Sequence, residues 1–201
     1  MIIKVVGQDP SMNNWALVAA TIDLSNECAI TITDMFVSQN ERKKDKSARK
    51  VVRRNSLDIE RAADLSKDIN AFLDKHKPNF TMVEVPHGAQ SAGAMKSYGM
   101  CIALLGAMKG RCSMIQLTEG ECKLHTVGKR KATKAEAIEW AMTRFPDAPW
   151  KMRTLKGEKV SVDSYNEHLA DACAAIETGM YTDQFIAAVE MIQSMTAQKA
   201  G

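Results

Sequence analysis

The sequence predicts a single α/β domain, in which helices cover both faces of a mixed five-stranded sheet made of an antiparallel meander and parallel strands. Three observations predict it. Three β-forming runs come first, two further short β-forming runs then alternate with segments of helical periodicity, and no Pro-, Gly- or Ser-rich linker divides the chain. At 201 residues the chain is long enough to bury one substantial core.

Each element follows from its pattern of apolar residues. Strands are predicted from β-branched and alternating runs at residues 2–6, 15–22, 28–37, 80–85 and 112–117. Helices are predicted from apolar spacing and capping residues at residues 57–76, 94–108, 119–125, 134–144, 164–178 and 183–197. Residues 146–163 are polar and basic and are predicted to form a loop. We expect residues 1–181 to form the domain and residues 182–201 to be a helical tail that packs on it or extends it.

The composition excludes several classes of protein. The five cysteines are odd in number and include no C-x-x-C pair, which argues against a disulfide framework and against a structural zinc site. The sequence contains no run of eighteen apolar residues and no signal-peptide pattern at its N-terminus. We therefore expect a cytoplasmic protein without a membrane partner.

Basic residues are concentrated in two segments. Residues 42–54 contain eight Lys and Arg against a lone Asp, although the formal net charge of the whole chain is only +3. Residues 129–131 form a second, shorter basic run. Such runs either bind phosphates or form a solvated face. The candidates for binding phosphates are Arg49, Lys50, Arg53, Arg54, Lys129, Arg130 and Lys131.

Two carboxylates lie at the ends of predicted strands. Asp9 comes after the first strand and Glu84 lies near the end of the fourth. If these strands are parallel neighbours, both side chains emerge at the edge where open α/β sheets place their sites. Taken alone, Asp9 could instead cap its turn, and Glu84 could form a salt bridge with Lys96 or Arg111.

His168 and Asp171 are three residues apart on a predicted helix, so they project from the same face. They are either a surface pair or, together with Asp9 and Glu84, part of an oxygen-rich cluster that binds divalent cations. Three unpaired carboxylates repel one another, so such a cluster is stable only with cations bound or with shifted pKa values. The joint interpretation explains all four positions, whereas each separate interpretation explains one.

At these positions the sequence resembles the RuvC family of Holliday junction resolvases, which are RNase H-like nucleases, over residues 2–181. Three segments carry the resemblance, and they contain Asp9, Glu84 and the pair His168 and Asp171: GQDPSMNNWALV, TMVEVPHGAQSAGAMKSYGMCIALLGAM and HLADACAAIETG. A fourth, ECKLHTVGKRKATKAEA, places Lys123 and Lys134 eleven residues apart, the spacing of two active-site lysines of the family.

The resemblance implies a metal-dependent endonuclease that resolves Holliday junctions and related branched DNA by hydrolysing phosphodiester bonds. Two Mg²⁺ ions about 4 Å apart, replaceable by Mn²⁺, are expected to be held by four side chains. These are Asp9 as the bridging ligand, Glu84, His168 and Asp171. Lys123 and Lys134 are expected to offset the charge that develops at the scissile phosphate. No nucleotide cofactor is expected.

The role of His168 is left open at this point. Because Mg²⁺ prefers oxygen ligands, the imidazole is either a ligand that tolerates Mn²⁺ better or a general base that orients the water. Glu167 is the substitute candidate if the helix register differs by one residue.

The sequence departs from the family pattern in several places. Ser11 replaces a glycine in the first turn, and His87 replaces an aromatic residue that stacks on DNA bases, so His87 is a further candidate for DNA binding. Residues 146–163 and the tail after Tyr181 are longer than expected for the family. These departures indicate a divergent branch, for which we predict a viral (phage) origin and hence a location in the host cytoplasm.

A four-way junction has approximate two-fold symmetry and is cut on two strands, so the resemblance also implies a homodimer. In the family, the helix after the catalytic Glu contributes to the dimer face. Here the apolar residues of that helix either supply this face or pack on their own sheet: Met95, Met100, Ile102, Leu105 and Met108.

Three alternatives compete with a resolvase. The first is another RNase H-like nuclease, which would act on flaps, forks or RNA-DNA hybrids with the same carboxylates. The second is a catalytically silent protein that binds branched DNA. The third is an actin-like phosphotransferase, which the absence of a Gly-rich phosphate hairpin argues against.

Overall fold

The computed structural model describes residues 1–39, 51–88 and 91–200, with the side chains of residues 51–54, 196, 197, 199 and 200 left out. Within these ranges the strands are β1 Ile2–Asp9, β2 Asn14–Asp23, β3 Ala29–Gln39, β4 Phe80–Glu84, β5 Ser113–Leu117, β6 Met152–Leu155 and β7 Glu158–Ser161. The helices are α1 Val51–His76, α2 Ala92–Met108, α3 Glu119–Val127, α4 Lys134–Arg144, α5 Asp163–Gly179 and α6 Asp183–Ala200. All five predicted strands and all six predicted helices are present, with bounds that differ by a few residues.

The main sheet has the strand order β3-β2-β1-β4-β5. β1 and β2 pair antiparallel, as do β2 and β3, whereas β4 is parallel to β1 and to β5. This confirms the predicted mixed sheet, and the first and fourth strands are the parallel neighbours on which the joint placement of Asp9 and Glu84 depended. Because β1, β3, β4 and β5 all end on the same side, we call that side the carboxyl edge of the sheet.

Each face of the sheet has its own hydrophobic core. Alternating side chains such as Val5 and Val6 of β1 point to opposite faces and belong to the two different cores. One core includes residues of α4, α5 and α6, and the other includes residues of α1 and α2. The predicted covering of both faces by helices is therefore confirmed.

Helix α5 lies directly against β1 because both elements have small residues at the contact. A β-carbon added to Gly7 would lie 2.1 Å from the carbonyl oxygen of Ala172 and 2.7 Å from Ile176. Gly179 at the end of the helix similarly approaches Met82 of β4. Only glycine at position 7 permits this approach, which brings the polar residues of α5 over the end of β1.

The prediction of a loop over residues 146–163 is wrong in part, because β6 and β7 form a separate antiparallel hairpin there. Its register pairs Leu155 with Glu158, which leaves the two-residue turn Lys156 and Gly157. Both turn residues have positive φ, 52° and 89°, as the tightest hairpin turns require. The strands escaped prediction because six of their eight residues are exposed and no buried apolar alternation marks them.

Helix α6 packs on the same core as α5. Phe185 is buried, and its ring meets that of Phe80 edge-on at a centroid distance of 5.4 Å. The boundary expected at residue 181 stays a prediction. Across the described ranges, no helix is both long enough and apolar enough to cross a membrane.

Candidate active site

The centre of the carboxyl edge is a contact between β1 and α5. Asp9 is the last residue of β1, and His168 Nδ1 donates to its Oδ2 atom at 2.8 Å. Burial alone would lower the pKa of His168, but the hydrogen bond and the charge of Asp9 outweigh burial and raise it. The close packing of α5 at Gly7, two residues before Asp9, makes this contact possible.

The turn after Asp9 is capped by another residue. Ser11 Oγ accepts from the backbone N–H of Asn13 at 3.3 Å, and among the described residues His168 is the group that hydrogen-bonds the Asp9 side chain. The interpretation of Asp9 as a turn cap is therefore wrong. Ser11, which departs from the family pattern, takes that role instead.

Glu84 and Asp171 add two further carboxyl groups to this centre. Burial, followed by the charges of Asp171 and Asp9, raises the pKa of Glu84 to about 9. Burial and the charge of Asp9 likewise raise the pKa of Asp171 to about 7. Within the described chain, Glu84 Oε2 is buried without a hydrogen-bond partner. The carboxyl groups are thus close enough to disfavour one another's charged forms.

The alternative assignment of Glu84 to a surface salt bridge is wrong. Lys96 pairs with Asp58, and Arg111 pairs with Asp74. The charged groups that act on Glu84 are instead those of the carboxyl edge: Asp171, Asp9, Glu119 and Lys123.

Lys123 is a cation whose charge acts on these carboxyl groups. Its side chain is 18% exposed and forms an ion pair with Glu119. Burial lowers the pKa of Lys123, but Glu119, Asp171 and Glu84 together raise it above its ordinary value. The lysine thus stays charged and partly balances the acidic centre.

Glu119 is a site residue that the sequence reasoning missed. It pairs with Lys123, and its Oε2 atom lies 3.9 Å from Nε2 of the exposed His87. Its charge also raises the pKa values of Glu84 and Asp171. One signal was available, because Glu119 follows β5 by two residues and β5 ends beside β4 at the same edge.

Lys134 lies at the rim of the site. Its side chain is 76% exposed, and its Nζ atom lies 2.9 Å from Glu167 Oε2. Glu167 Oε1 in turn lies 3.5 Å from His168 Nε2. Lys134 is therefore connected to Asp9 through two intervening side chains, whereas Lys123 faces the carboxyl groups directly.

The residues fit divalent cations by their chemistry. Among the described residues, no three His, Cys, Asp or Glu side chains already converge as the ligands of one ion. Carboxylate oxygens are nevertheless the donors that Mg²⁺ and Mn²⁺ prefer, and the buried Oε2 atom of Glu84 has no other partner in the described chain. A cation here would also relieve the repulsion that raises the pKa values of Glu84 and Asp171.

The predicted phosphate-binding residues fall into three groups. Arg49 and Lys50 lie outside the described residues, and Arg53 and Arg54 are in α1 with side chains that are not described. Lys129, Arg130 and Lys131 are exposed between α3 and α4. Lys129 forms an ion pair with Glu136 at 2.6 Å, so part of the charge of this segment is already balanced within the protein.

No protein-family model and no curated protein matches the chain. Solved structures do. RuvC of Thermus thermophilus matches with a TM-score of 0.59 and 15% identity over 88% of this chain and 94% of that one. RuvC of the same organism, in complex with a Holliday junction substrate, matches with the same TM-score, 12% identity and the same coverage. The yeast mitochondrial Holliday junction resolvase Ydc2 matches with a TM-score of 0.57 and 14% identity over 96% of this chain and 83% of that one.

At these identities the similarity concerns the fold. The fold described above is similar to those of RuvC and Ydc2 over most of each chain. The resemblance recognised from four short motifs is confirmed at that level. The chain has the RNase H-like fold in the form found in RuvC and Ydc2.

Proposed function

We propose that this protein is a metal-dependent, structure-specific endonuclease that cuts four-way DNA junctions and related branched DNA. The observation that carries the proposal is the contact of His168 with Asp9 at the carboxyl edge, beside the buried carboxyl groups of Glu84 and Asp171. Lys123 reaches the same centre. The fold shared with two Holliday junction resolvases supports the choice of substrate.

In the proposed mechanism, Asp9, Glu84 and Asp171 would hold two divalent cations. When bound, these cations would supply an activated water and stabilise the leaving oxygen of the phosphodiester. His168 Nδ1 is occupied by its hydrogen bond with Asp9. Because its Nε2 atom also faces a carboxylate, 3.5 Å from Glu167 Oε1, and Mg²⁺ prefers oxygen ligands, we assign His168 the task of orienting Asp9 and holding a proton, rather than that of a ligand.

The two lysines take different roles. Lys123 is held close to the carboxyl groups by Glu119, where its positive charge can stabilise negative charge that develops on a phosphate. Lys134 is exposed and bound to Glu167, so it is suited to contact the phosphate backbone at the rim. Exposed His87 beside Glu119 is placed to meet a base at the branch point.

We propose that the active form is a C2 dimer, because two sites related by a two-fold axis match a four-way junction. Helix α2 supports this in part. Met95 and Ile102 are exposed, whereas Leu105 and Met108 are buried against the protein's own core and Met100 is partly buried. Only the first two remain available for a dimer face.

The test is cleavage of matched synthetic substrates in Mg²⁺ and in Mn²⁺: four-way junctions, flaps, forks, RNA-DNA hybrids and linear duplex. We expect the protein to nick junctions symmetrically and much faster than linear duplex. Asp9→Asn should lose about 10³-fold or more in rate and still bind the junction. The exposed Asp64 of α1 provides the control, since Asp64→Asn should leave the rate unchanged.

Each alternative has a distinct outcome. Equal cleavage of linear duplex, or preferred cleavage of flaps or hybrids, would refute the resolvase assignment and favour another RNase H-like nuclease. Tight junction binding without cleavage in either cation would favour a catalytically silent binding protein. Full activity of Asp9→Asn would refute the metal site.

A further inference from the structure

The β6–β7 hairpin carries a concentration of positive charge that the proposed site does not use. Residues 151–161 contain four Lys and Arg, Lys151, Arg153, Lys156 and Lys159, against one acid, Glu158. Lys151 lies over the ring of Tyr165 at 4.0 Å. Arg153, Lys156 and Lys159 are exposed and have no ion-pair partner among the described residues. Their charge is therefore available to an external partner.

The base of this hairpin is anchored firmly beside the site. The buried side chain of Asn166 accepts from the N–H of Lys151 and donates to the Lys151 carbonyl and to Ser161 Oγ, all at 2.9–3.0 Å. The neighbouring Tyr165 hydroxyl accepts from the N–H of Val37 in β3. Because β3 ends at the carboxyl edge, the hairpin starts from the same side of the sheet as the acidic centre.

The hairpin also has a fixed relation to the catalytic helix. Asn166, which clamps its two strands, lies only two residues before His168 in α5. A rigid helix separates these residues by about 3 Å along its axis. A partner held by the hairpin is thus positioned relative to the acidic centre.

The cations are distributed around the hairpin rather than on one side. Arg153 pairs with Val160 in the register, and Lys159 pairs with Thr154, so Arg153 and Lys159 point to opposite faces. Lys156 lies at the tip. Cations on both faces allow the ribbon to reach phosphates on either side of it.

The tip lysine occupies an unfavourable backbone conformation. Lys156 has φ of 52°, a region in which Asn and Gly are common and Lys is not. A side chain that occupies a costly conformation at an exposed tip is a candidate for function.

We propose that the β6–β7 hairpin inserts into a groove of a duplex arm next to the cleavage site and contacts phosphates on both strands through Arg153, Lys156 and Lys159. This rests on the proposed function for the identity of the nucleic acid. Four-residue strands extend about 13 Å. A two-stranded ribbon fits the major groove of B-DNA, which is about 12 Å wide and about 8.5 Å deep.

A protein partner is the competing occupant. Met152 and Leu155 are exposed on the hairpin, and the outer edges of both strands are unpaired within the described residues. The charges favour DNA, because three cations without partners would oppose burial against a second copy of this chain, whose own hairpin has the same charge.

The experiment compares three variants of the full chain for binding to a four-way junction in EDTA, where no cleavage is expected, over a range of salt concentrations. The first is the neutral hairpin, Arg153→Gln with Lys156→Asn and Lys159→Gln. The second replaces the two apolar residues, Met152→Thr with Leu155→Thr. The third is a charge-matched control at the opposite edge of the sheet, Lys4→Gln with Lys77→Asn and Lys109→Gln, all exposed.

We expect the neutral hairpin to weaken junction binding roughly 10- to 100-fold near 0.15 M salt and to lower the slope of log K against log salt by about two to three. The control should change binding by about 3-fold or less, through its net charge alone.

Equal binding by the wild type and the neutral hairpin would overturn the proposal. A second pair of results would also overturn it: the variant without Met152 and Leu155 changes its oligomeric mass, and the neutral hairpin keeps its affinity for the junction. The hairpin would then bind protein. The two proposals fail separately. If the wild type cuts junctions and the neutral hairpin binds them normally, only the role of the hairpin is refuted. If the hairpin provides salt-sensitive binding but no cleavage occurs, only the proposed nuclease activity is refuted.

Discussion

The carboxyl edge and the β6–β7 hairpin use positive charge in opposite ways. At the edge, Lys123 is paired with Glu119 and Lys134 with Glu167, in a centre crowded with carboxyl groups. On the hairpin, Arg153 and Lys159 are exposed and have no ion-pair partners within the described chain. The same residue types therefore balance internal charge in one region and leave charge available for a ligand in the other.

This difference separates the effects expected of substitutions. A lysine at the edge is coupled to buried carboxyl groups, so removing it alters their protonation and the chemistry of the site. A hairpin cation is solvated in the free protein, so removing it changes the affinity for DNA and the salt dependence of that affinity. Both regions depend on α5, which carries His168 and holds the hairpin through Asn166.

The largest effect should come from disturbing that shared helix. Gly7→Ala would place a β-carbon 2.1 Å from the carbonyl oxygen of Ala172, a backbone atom that cannot move aside cheaply. We expect a loss of at least about 3 kcal/mol in the free energy of unfolding, together with loss of both activity and hairpin-dependent binding. Urea denaturation measures the first, and junction assays the others.

The matched control is Gly99→Ala in α2, where an added β-carbon meets nothing within 4 Å. Alanine should stabilise that helix by up to about 1 kcal/mol. If Gly7→Ala is as stable as the wild type, α5 does not lie as close to β1 as described. The positions of the acidic centre and of the hairpin would then not depend on this contact.

The second prediction concerns the charge of the edge alone. Glu84 has a pKa raised to about 9, so between its ordinary pKa of 4.5 and about 9 the folded protein binds a proton that the unfolded chain releases. Without divalent cations, stability should therefore fall as pH rises, by about 4 kcal/mol between pH 5 and 8 from Glu84 alone. The pKa of Asp171, raised to about 7, adds to this decline below pH 7. Glu84→Gln should remove the Glu84 contribution, which accounts for most of the decline above pH 7, and urea denaturation at several pH values measures it.

Two variants serve as controls for this pH dependence. Glu139→Gln, at an exposed position of α4, should leave the pH dependence unchanged, and so should the neutral hairpin. Added Mg²⁺ or Mn²⁺ should stabilise the wild type most at high pH, where the carboxyl groups are charged. A stability that rises from pH 5 to 8 in the absence of cations would contradict the crowding of carboxyl groups at the edge.

The third prediction distinguishes the two lysines of the edge. Lys123→Gln removes the cation that faces Glu84 and Asp171, and we expect the maximal cleavage rate to fall about 10²-fold. Lys134→Gln removes an exposed cation held only by Glu167, and it should cost less than about 10-fold. Single-turnover kinetics at saturating protein measures both rates, and equal losses would show that the two lysines act at equivalent distances from the phosphate.

Much of this arrangement was predictable from the sequence, because it depends on hydrophobic pattern and helix spacing. The order of strands and helices predicted a mixed sheet, and once β1 and β4 are neighbours in it, Asp9 and Glu84 lie at one edge. The spacing of three residues placed His168 and Asp171 on one face of α5. These are local features that tertiary packing did not override.

The rest depended on information that the pattern does not contain. The β6–β7 strands are largely exposed, so they lack the apolar alternation that marks a strand, and the turn Lys156 and Gly157 was their only signal. Glu119 became visible only when β5 was placed beside β4. Which lysines are paired is decided by side-chain distances, which residue spacing does not give.

The smallest effect should come from the tip of the hairpin, and it tests whether Lys156 is retained for binding. Asn tolerates positive φ better than Lys, so Lys156→Asn should raise the free energy of unfolding by about 0.5 kcal/mol while weakening junction binding several-fold. Lys77 is also exposed with positive φ, 46°, but precedes β4 at the opposite edge. Lys77→Asn should give a similar gain in stability and leave junction binding unchanged. If both substitutions weaken junction binding equally, the hairpin tip has no special position relative to DNA. The effect of Lys156 on binding would then come from the net charge of the protein alone.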